Sequence, residues 1–311
     1  MLAVYLFKIA SWLCFKIPQS ISYPLATIGG ELYYWIAREH SRNADRNMQI
    51  VLGAPKINRR VRLIARRSFR NYAKYMVDFL RLSHPKAPLV PGFTGEGGWS
   101  YFEEGLAKGK GLMLFTPHFG NWDGAIGLVN SYGLKIHSVA NEFKPPELND
   151  LIQGTRQRMG INIYSPEGAL RGLVTALKRN ELVVLLIDSP LKNEGVVVEM
   201  FGKPVRFAPG PATLALRTGA NLMLGYVARQ PGNKTFYAVW EPHLKYEPTG
   251  DKEQDILALT QQIAHVIEGL IRRHPDQWYM FRPLWLTDEE LKEHEEARQQ
   301  NRRKGRKTVE Q

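Results

Sequence analysis

Gly111–Asp123 reads GLMLFTPHFGNWD, and the rest of the chain is best read outward from it. Leu112 to Phe115 form a short unbroken apolar run, and Thr116-Pro117 ends it, which predicts a short buried strand. His118 stands at the mouth of that strand, Asp123 five positions later, and an apolar helix-like run begins there. An imidazole at a strand end with a carboxylate close by is a candidate general base with its orienting acid. The carboxylate would hold one ring nitrogen as N–H and leave the other free to take a proton. Spacing alone does not separate this from a loop histidine followed by an acid favoured at a helix start.

Downstream, short apolar strands alternate with helices. Strands are expected at Lys135–Ala140, Ile161–Tyr164, Leu182–Ile187, Leu222–Ala228 and Phe236–Trp240, with a hairpin-like segment at Gly195–Phe201. Helices are expected near Tyr101–Lys108, through Leu128, at Pro146–Met159, at Gly168–Lys178 and at Ile256–Arg273, plus a short one opened by Pro211 and closed by Gly219. Such alternation predicts an α/β fold on a mostly parallel central sheet flanked by helices. Sites in such sheets lie at the carboxyl ends of strands, where His118 and Asp188 both fall.

Upstream, residues 1–36 are apolar but interrupted by Lys8, Lys16, Pro18, Pro24, Gly29-Gly30 and Glu31, so no continuous run of about 20 apolar residues spans a bilayer. The first turns suit a helix lying in a membrane interface through Leu2, Leu6, Ile9 and Leu13, or equally a helix buried in the fold. Ile57–Leu80 is helical, with an apolar stripe at Val61, Ile64, Ala65, Ser68, Tyr72, Tyr75, Met76 and Phe79 and arginines elsewhere. Pro85, Pro88, Pro91 and the glycine-rich GFTGEGG read as a linker. The expected organisation is a membrane-associating helical region at 1–90, an α/β domain at 91–287 and a charged, disordered tail at 288–311.

The chain has 311 residues and a formal net charge of +12. Nearly all the excess lies in residues 1–90, with fifteen Lys/Arg against four Asp/Glu. Basic charge beside apolar surface fits an anionic bilayer, at about 1 kcal/mol per basic residue. No nucleic-acid recognition motif accompanies it. The single cysteine, Cys14, rules out an internal disulfide framework. Common nucleotide, zinc and serine-hydrolase signatures are absent, and the histidines show no metal-ligand spacing, so neither metal nor cofactor is expected.

HFGNWD at 118–123, with GVVVEMFGKP and PGPATLALRTGA between 195 and 220, resembles the bacterial lipid A lauroyl/myristoyl acyltransferases and the related phosphatidylinositol mannoside acyltransferases. Arg158-Met159-Gly160, LKRNE at 177–181 and HPDQWYMF at 274–281 are similar too, so the resemblance covers most of residues 30–285. It implies a cofactor-free O-acyltransferase in which His118 is the base and Asp123 its partner. The hydroxyl of a membrane glycolipid or phospholipid would attack the thioester of an acyl-carrier protein or coenzyme A donor. Arg158 and Arg171 are candidates for stabilising the oxyanion or binding phosphate, and the backbone amides around Gly120 and Asn121 are a third option. Asp188 matches a position where the family places an acid. Glu199 is either a second carboxylate of the site or a solvent-facing side chain. The implied location is the cytoplasmic face of a bacterial plasma membrane, peripheral or held by a single N-terminal anchor. WYMFRPLW departs from the arginine-rich tryptophan motif usual in lipid A enzymes and is closer to the mannoside branch. A thioesterase or lipid hydrolase using the same pair, or an inactive lipid-binding protein, are the alternatives.

Overall fold

The apolar run at 112–115 forms the middle of a seven-stranded sheet. In the computed structural model, which describes residues 2–88, 92–189, 195–232 and 235–296, four helices come first: α1 (Leu2–Lys16), α2 (Gln19–Ile36), α3 (Arg38–Val51) and α4 (Arg59–Leu82). The alternating part follows as β1 (Phe93–Gly97), α5 (Trp99–Ala107), β2 (Leu112–Thr116), α6 (Trp122–Ser131), β3 (Ile136–Val139), α7 (Pro146–Arg158), β4 (Ile161–Tyr164), α8 (Ala169–Lys178) and β5 (Leu182–Leu186). A hairpin of β6 (Val196–Met200) and β7 (Lys203–Phe207) leads to α9 (Gly210–Thr218), β8 (Asn221–Arg229), β9 (Phe236–Trp240) and α10 (Lys252–Arg273). The sheet order is β1-β9-β8-β2-β5-β3-β4. All neighbours are parallel except β8 and β9, so the mostly parallel α/β fold expected from the sequence is the fold found.

Both faces of β2 are covered. Met113 and Phe115 enter a core shared with α8, α9, α10 and α4, while Leu112 and Leu114 enter a second core with α5 and α6. Two buried faces explain why the strand reads as continuous apolar sequence rather than an alternation. Pro211 lies at the start of α9, and Gly219 ends it at φ 70°, as the sequence predicts.

The helical region at 1–90 contributes to the same core. Val61, Ala65 and Phe69 of α4 pack with β2, β5 and α10. Asn58 caps α4 by accepting from the Val61 amide at 3.0 Å. Gly30 is where α2 crosses α4, since a Cβ there would sit 2.6 Å from the Phe69 carbonyl oxygen. The glycine that interrupts the apolar N-terminus is therefore a close-packing residue within a continuous helix. Two of the arginines on α4, Arg66 and Arg70, clasp Glu31 of α2.

GFTGEGG differs from its reading as linker. Residues 93–97 form β1, parallel to β9 at the sheet edge, with an irregular register between Phe93 and Gly95. An edge strand is held by backbone hydrogen bonds and one covered face, so it forms without an apolar pattern. Residues 89–91 of the expected linker lie outside the described residues. Of the expected tail, residues 288–296 are helical and 297–311 lie outside the described residues. Among the described residues, no helix is long and apolar enough to cross a membrane.

Candidate active site

Strand neighbours decide which acid meets His118. β2 and β5 are adjacent and in register, with Thr116 opposite Leu186. Continuing by two residues brings 118 opposite 188. The Asp188 carboxylate accepts from His118 Nδ1 at 2.7 Å and from the His118 backbone N–H at 3.0 Å. It also accepts from the indole N–H of Trp278 at 2.8 Å. Asp188 is fully buried, whereas the His118 side chain is 33% exposed. Burial works to raise the Asp188 carboxyl, but the charge and hydrogen bonds of His118 and the Trp278 indole outweigh it and hold it below the usual carboxylate range.

The pairing of His118 with Asp123 read from the sequence is therefore replaced by a pairing with Asp188. Asp123 is the second residue of α6 and is completely buried. Its Oδ1 accepts from Arg156 Nε at 2.8 Å, and its Oδ2 accepts from the Tyr75 hydroxyl at 2.5 Å. Burial and the neighbouring carboxylate push the Tyr75 phenol well up, which keeps it a neutral donor. Arg156 remains charged because the attraction of Asp123 outweighs its burial.

The loop between β2 and α6 is pinned from both sides. Gly120 donates its amide to Gln277 O at 3.0 Å, Asn121 to Val227 O at 3.2 Å, and Tyr279 donates to His118 O at 2.9 Å. The amides of Gly120 and Asn121 are thus already spent, and the reading that offers them to an oxyanion does not fit this geometry. Gly120 has φ 59°, and a Cβ there would lie 1.8 Å from the Val227 carbonyl oxygen. That is why this position of HFGNWD is glycine. Asn121 caps α6 through Oδ1, which accepts from Gly124 N at 3.0 Å. Its Nδ2 is buried without a partner among the described residues.

The other expected residues scatter. Arg158 turns its guanidinium onto the carbonyl of Leu82, the last residue of α4, and onto those of Ser83 and His84 just beyond it. It closes that helix as a basic C-terminal cap. Arg171 is exposed in a groove of about 300 Å³ along α8, beside His137, Tyr164 and Arg179. Glu199 exposes its side chain on the β6–β7 hairpin, while its backbone pairs with the side chain of Gln261. Among the described residues, no cluster of three His, Cys, Asp or Glu is arranged to hold a metal ion.

Arg156, Tyr75 and Trp278 escape the sequence reading. Trp278 lies inside HPDQWYMF, so its segment is flagged but not its role. Tyr75 hides in the apolar stripe of α4, where a phenol gives no sign of its partner.

Set beside known proteins, the chain matches the family described as bacterial lipid A biosynthesis acyltransferase over residues 1–287. It is similar to a phosphatidylinositol mannoside acyltransferase of Mycolicibacterium smegmatis, 30% identical over 266 residues, covering 81% of this chain and 83% of that one. A protein of the same name from Mycobacterium tuberculosis is 33% identical over 197 residues, covering 62% of this chain, and the chain spans only 60% of that relative's length. A lipid A biosynthesis acyltransferase of Haemophilus influenzae is 24% identical over 191 residues, covering 61% of this chain and 58% of that one. Among solved structures, a 1-acyl-sn-glycerophosphate acyltransferase of Thermotoga maritima matches at 14% identity and a TM-score of 0.33, covering 79% of this chain and 97% of the other. That likeness is too slight to build on. The match over 287 residues is not, and the chain belongs to the bacterial lipid A biosynthesis acyltransferase family.

Proposed function

We propose that the protein is an O-acyltransferase that moves a fatty acyl group from a thioester donor to a hydroxyl of a membrane glycolipid or phospholipid. His118 is the general base and Asp188 its orienting acid. The observation that carries this reading is the Nδ1–Asp188 bond of 2.7 Å on a histidine whose ring still reaches solvent. Nδ1 is held as the N–H, and among the described residues no group bonds Nε2. Nε2 takes the proton of the acceptor hydroxyl as its oxygen attacks the thioester carbonyl. The tetrahedral oxyanion then collapses, the C–S bond breaks, and the proton on Nε2 passes to the departing sulfur. Products are an ester and a free thiol, and no protein nucleophile is required. General-base help of this kind contributes about 10²–10⁴-fold.

The acceptor we favour is a phosphatidylinositol mannoside type of glycolipid. The mannoside acyltransferases are 30% and 33% identical to this chain and the lipid A enzyme 24%. The donor is an acyl thioester of a carrier protein or of coenzyme A. Arg171, exposed in the α8 groove, is the arginine of the expected set that remains free to meet a phosphate of the donor.

Membrane association is part of this proposal. Leu2, Leu6, Ile9 and Trp12 of α1 and Leu25, Ile28, Leu32 and Trp35 of α2 are all more than half exposed. Large apolar faces left uncovered mark interaction surfaces, and the basic charge of the same region suits anionic lipid.

The test is incubation of the purified protein with an acyl thioester and a mannoside-containing lipid extract, with products read by mass spectrometry. Acylated glycolipid should appear with wild type and vanish with folded His118→Ala. Release of free fatty acid with no acylated lipid would favour a hydrolase. Wild-type turnover by His118→Ala would overturn the assignment of the base.

A further inference from the structure

Three residues on one face of α4, spaced i, i+4 and i+7, each grip a different segment beside His118. Asn71 donates to the backbone oxygen of Asp276 at 2.9 Å, just before the segment that supplies Trp278 to Asp188 and Tyr279 to His118. Tyr75 donates to Asp123 in the first turn of α6 at 2.5 Å. Asp78 accepts from Arg229 and from Tyr23, each at 2.5 Å, and Arg229 lies two residues beyond the Val227 carbonyl that holds Asn121. The ring of Tyr75 also stacks on Trp122 at 3.9 Å between centroids, and Trp122 sets its ring edge-to-face with His118 at 5.3 Å.

We propose that Tyr75 is a positioning residue for His118. Its hydroxyl fixes Asp123 and its ring fixes Trp122, the wall against which the imidazole rests. The inference rests on the reading of His118 as the base and adds to it a helix outside the α/β part of the chain. Arg156 already neutralises Asp123, so the phenol is not needed for charge. What it adds is direction, since a hydroxyl bond and a stacked ring together fix where the first turn of α6 stands. A base must be held within a fraction of an ångström of its working place, and a small misplacement can cost on the order of 100-fold in rate. The helices at the N-terminus pack on α4. On this view α4, the helix on which they pack, belongs to the catalytic scaffold.

The experiment compares three folded variants, checked by circular dichroism at the assay temperature. Tyr75→Phe keeps the stack and loses the hydroxyl bond. Tyr34→Phe is its control, because the Tyr34 hydroxyl bonds a buried acid in the same way, Asp45 at 3.0 Å, and its ring contacts go to Trp35 and Phe69 rather than to Trp122 or His118. His118→Ala tests the underlying reading. Tyr75→Phe should lower kcat about 10- to 100-fold with KM for the thioester donor within about twofold of wild type. Tyr34→Phe should lower the thermal midpoint comparably and leave kcat unchanged. A kcat for Tyr75→Phe within twofold of wild type, or an equal loss in Tyr34→Phe, would overturn the positioning role while leaving the base assignment intact. Undiminished turnover in His118→Ala would remove the base assignment, and the positioning role with it.

Discussion

Two buried aspartates flank His118, and replacing each by asparagine should give opposite signatures. Asp188→Asn keeps the shape and still offers one carbonyl oxygen to the Trp278 indole. The new amide nitrogen, however, faces the His118 backbone N–H and Nδ1, both of which donate to the carboxylate now. Two donors meeting there cost about 1–3 kcal/mol of stability. More important, the amide favours the tautomer with the proton on Nε2, which cannot act as a base. A histidine whose orienting aspartate is amidated in this way loses about 10⁴-fold in kcat, equivalent to about 5 kcal/mol of barrier. Asp123→Asn instead strips the counter-charge from Arg156, whose side chain is only 16% exposed. Leaving a buried charge unpaired costs about 3–5 kcal/mol of folding stability. Where that variant is still folded, its kcat should fall no further than that of Tyr75→Phe, because Asp123 reaches His118 only through Trp122 and the first turn of α6. The assay is acyl transfer to glycolipid at a temperature where both variants are folded, alongside thermal unfolding. Asp188→Asn within tenfold of wild type, or Asp123→Asn as the slower enzyme when both are fully folded, would refute the assignment of the orienting acid.

Gly120→Ala should reorganise the loop at 118–121, since its Cβ would collide with the Val227 carbonyl. Loss of activity together with a lowered thermal midpoint is the expected result, read by calorimetry and product assay. Lys74 carries a pH signal: burial foremost, with Arg229 and Arg70 adding to it, pushes its ammonium down to about 8. An unfolded lysine holds its proton to about 10.4, so the unfolded chain binds more protons in the interval and stability rises with pH from about 8 to 10. Lys74→Met should flatten that part of the wild-type curve, measured by denaturant midpoints at pH 7 and 10. Trp12→Glu combined with Ile28→Glu should weaken co-sedimentation with anionic vesicles without loss of fold, and high salt should weaken the wild type as well. Unchanged sedimentation of the double variant would discount the exposed faces of α1 and α2.

The sequence alone determined what is local. Four apolar residues bounded by Gly111 and Thr116-Pro117 can bury both faces only as an inner strand, and the alternation after residue 98 leaves little choice but an α/β sheet. Pro211 and Gly219 mark helix ends because φ restriction and φ freedom are properties of single residues. His118 is legible as a strand-end histidine for the same reason, and HFGNWD carries the family by motif. The tertiary structure decided what depends on who stands beside whom. Asp123 is five residues from His118 and Asp188 seventy, yet Asp188 makes the bond because β5 lies next to β2. Periodicity reports that a strand is buried but not which strand is its neighbour. Arg158 reads like a site residue until the carbonyl end of α4 is found beside it, and Tyr75 reads like core until Asp123 is found at its hydroxyl. β1 went unread because edge pairing is made by backbone groups that every residue carries. Strand order and helix docking are set by the total burial of all elements at once, and no short window of sequence contains that sum.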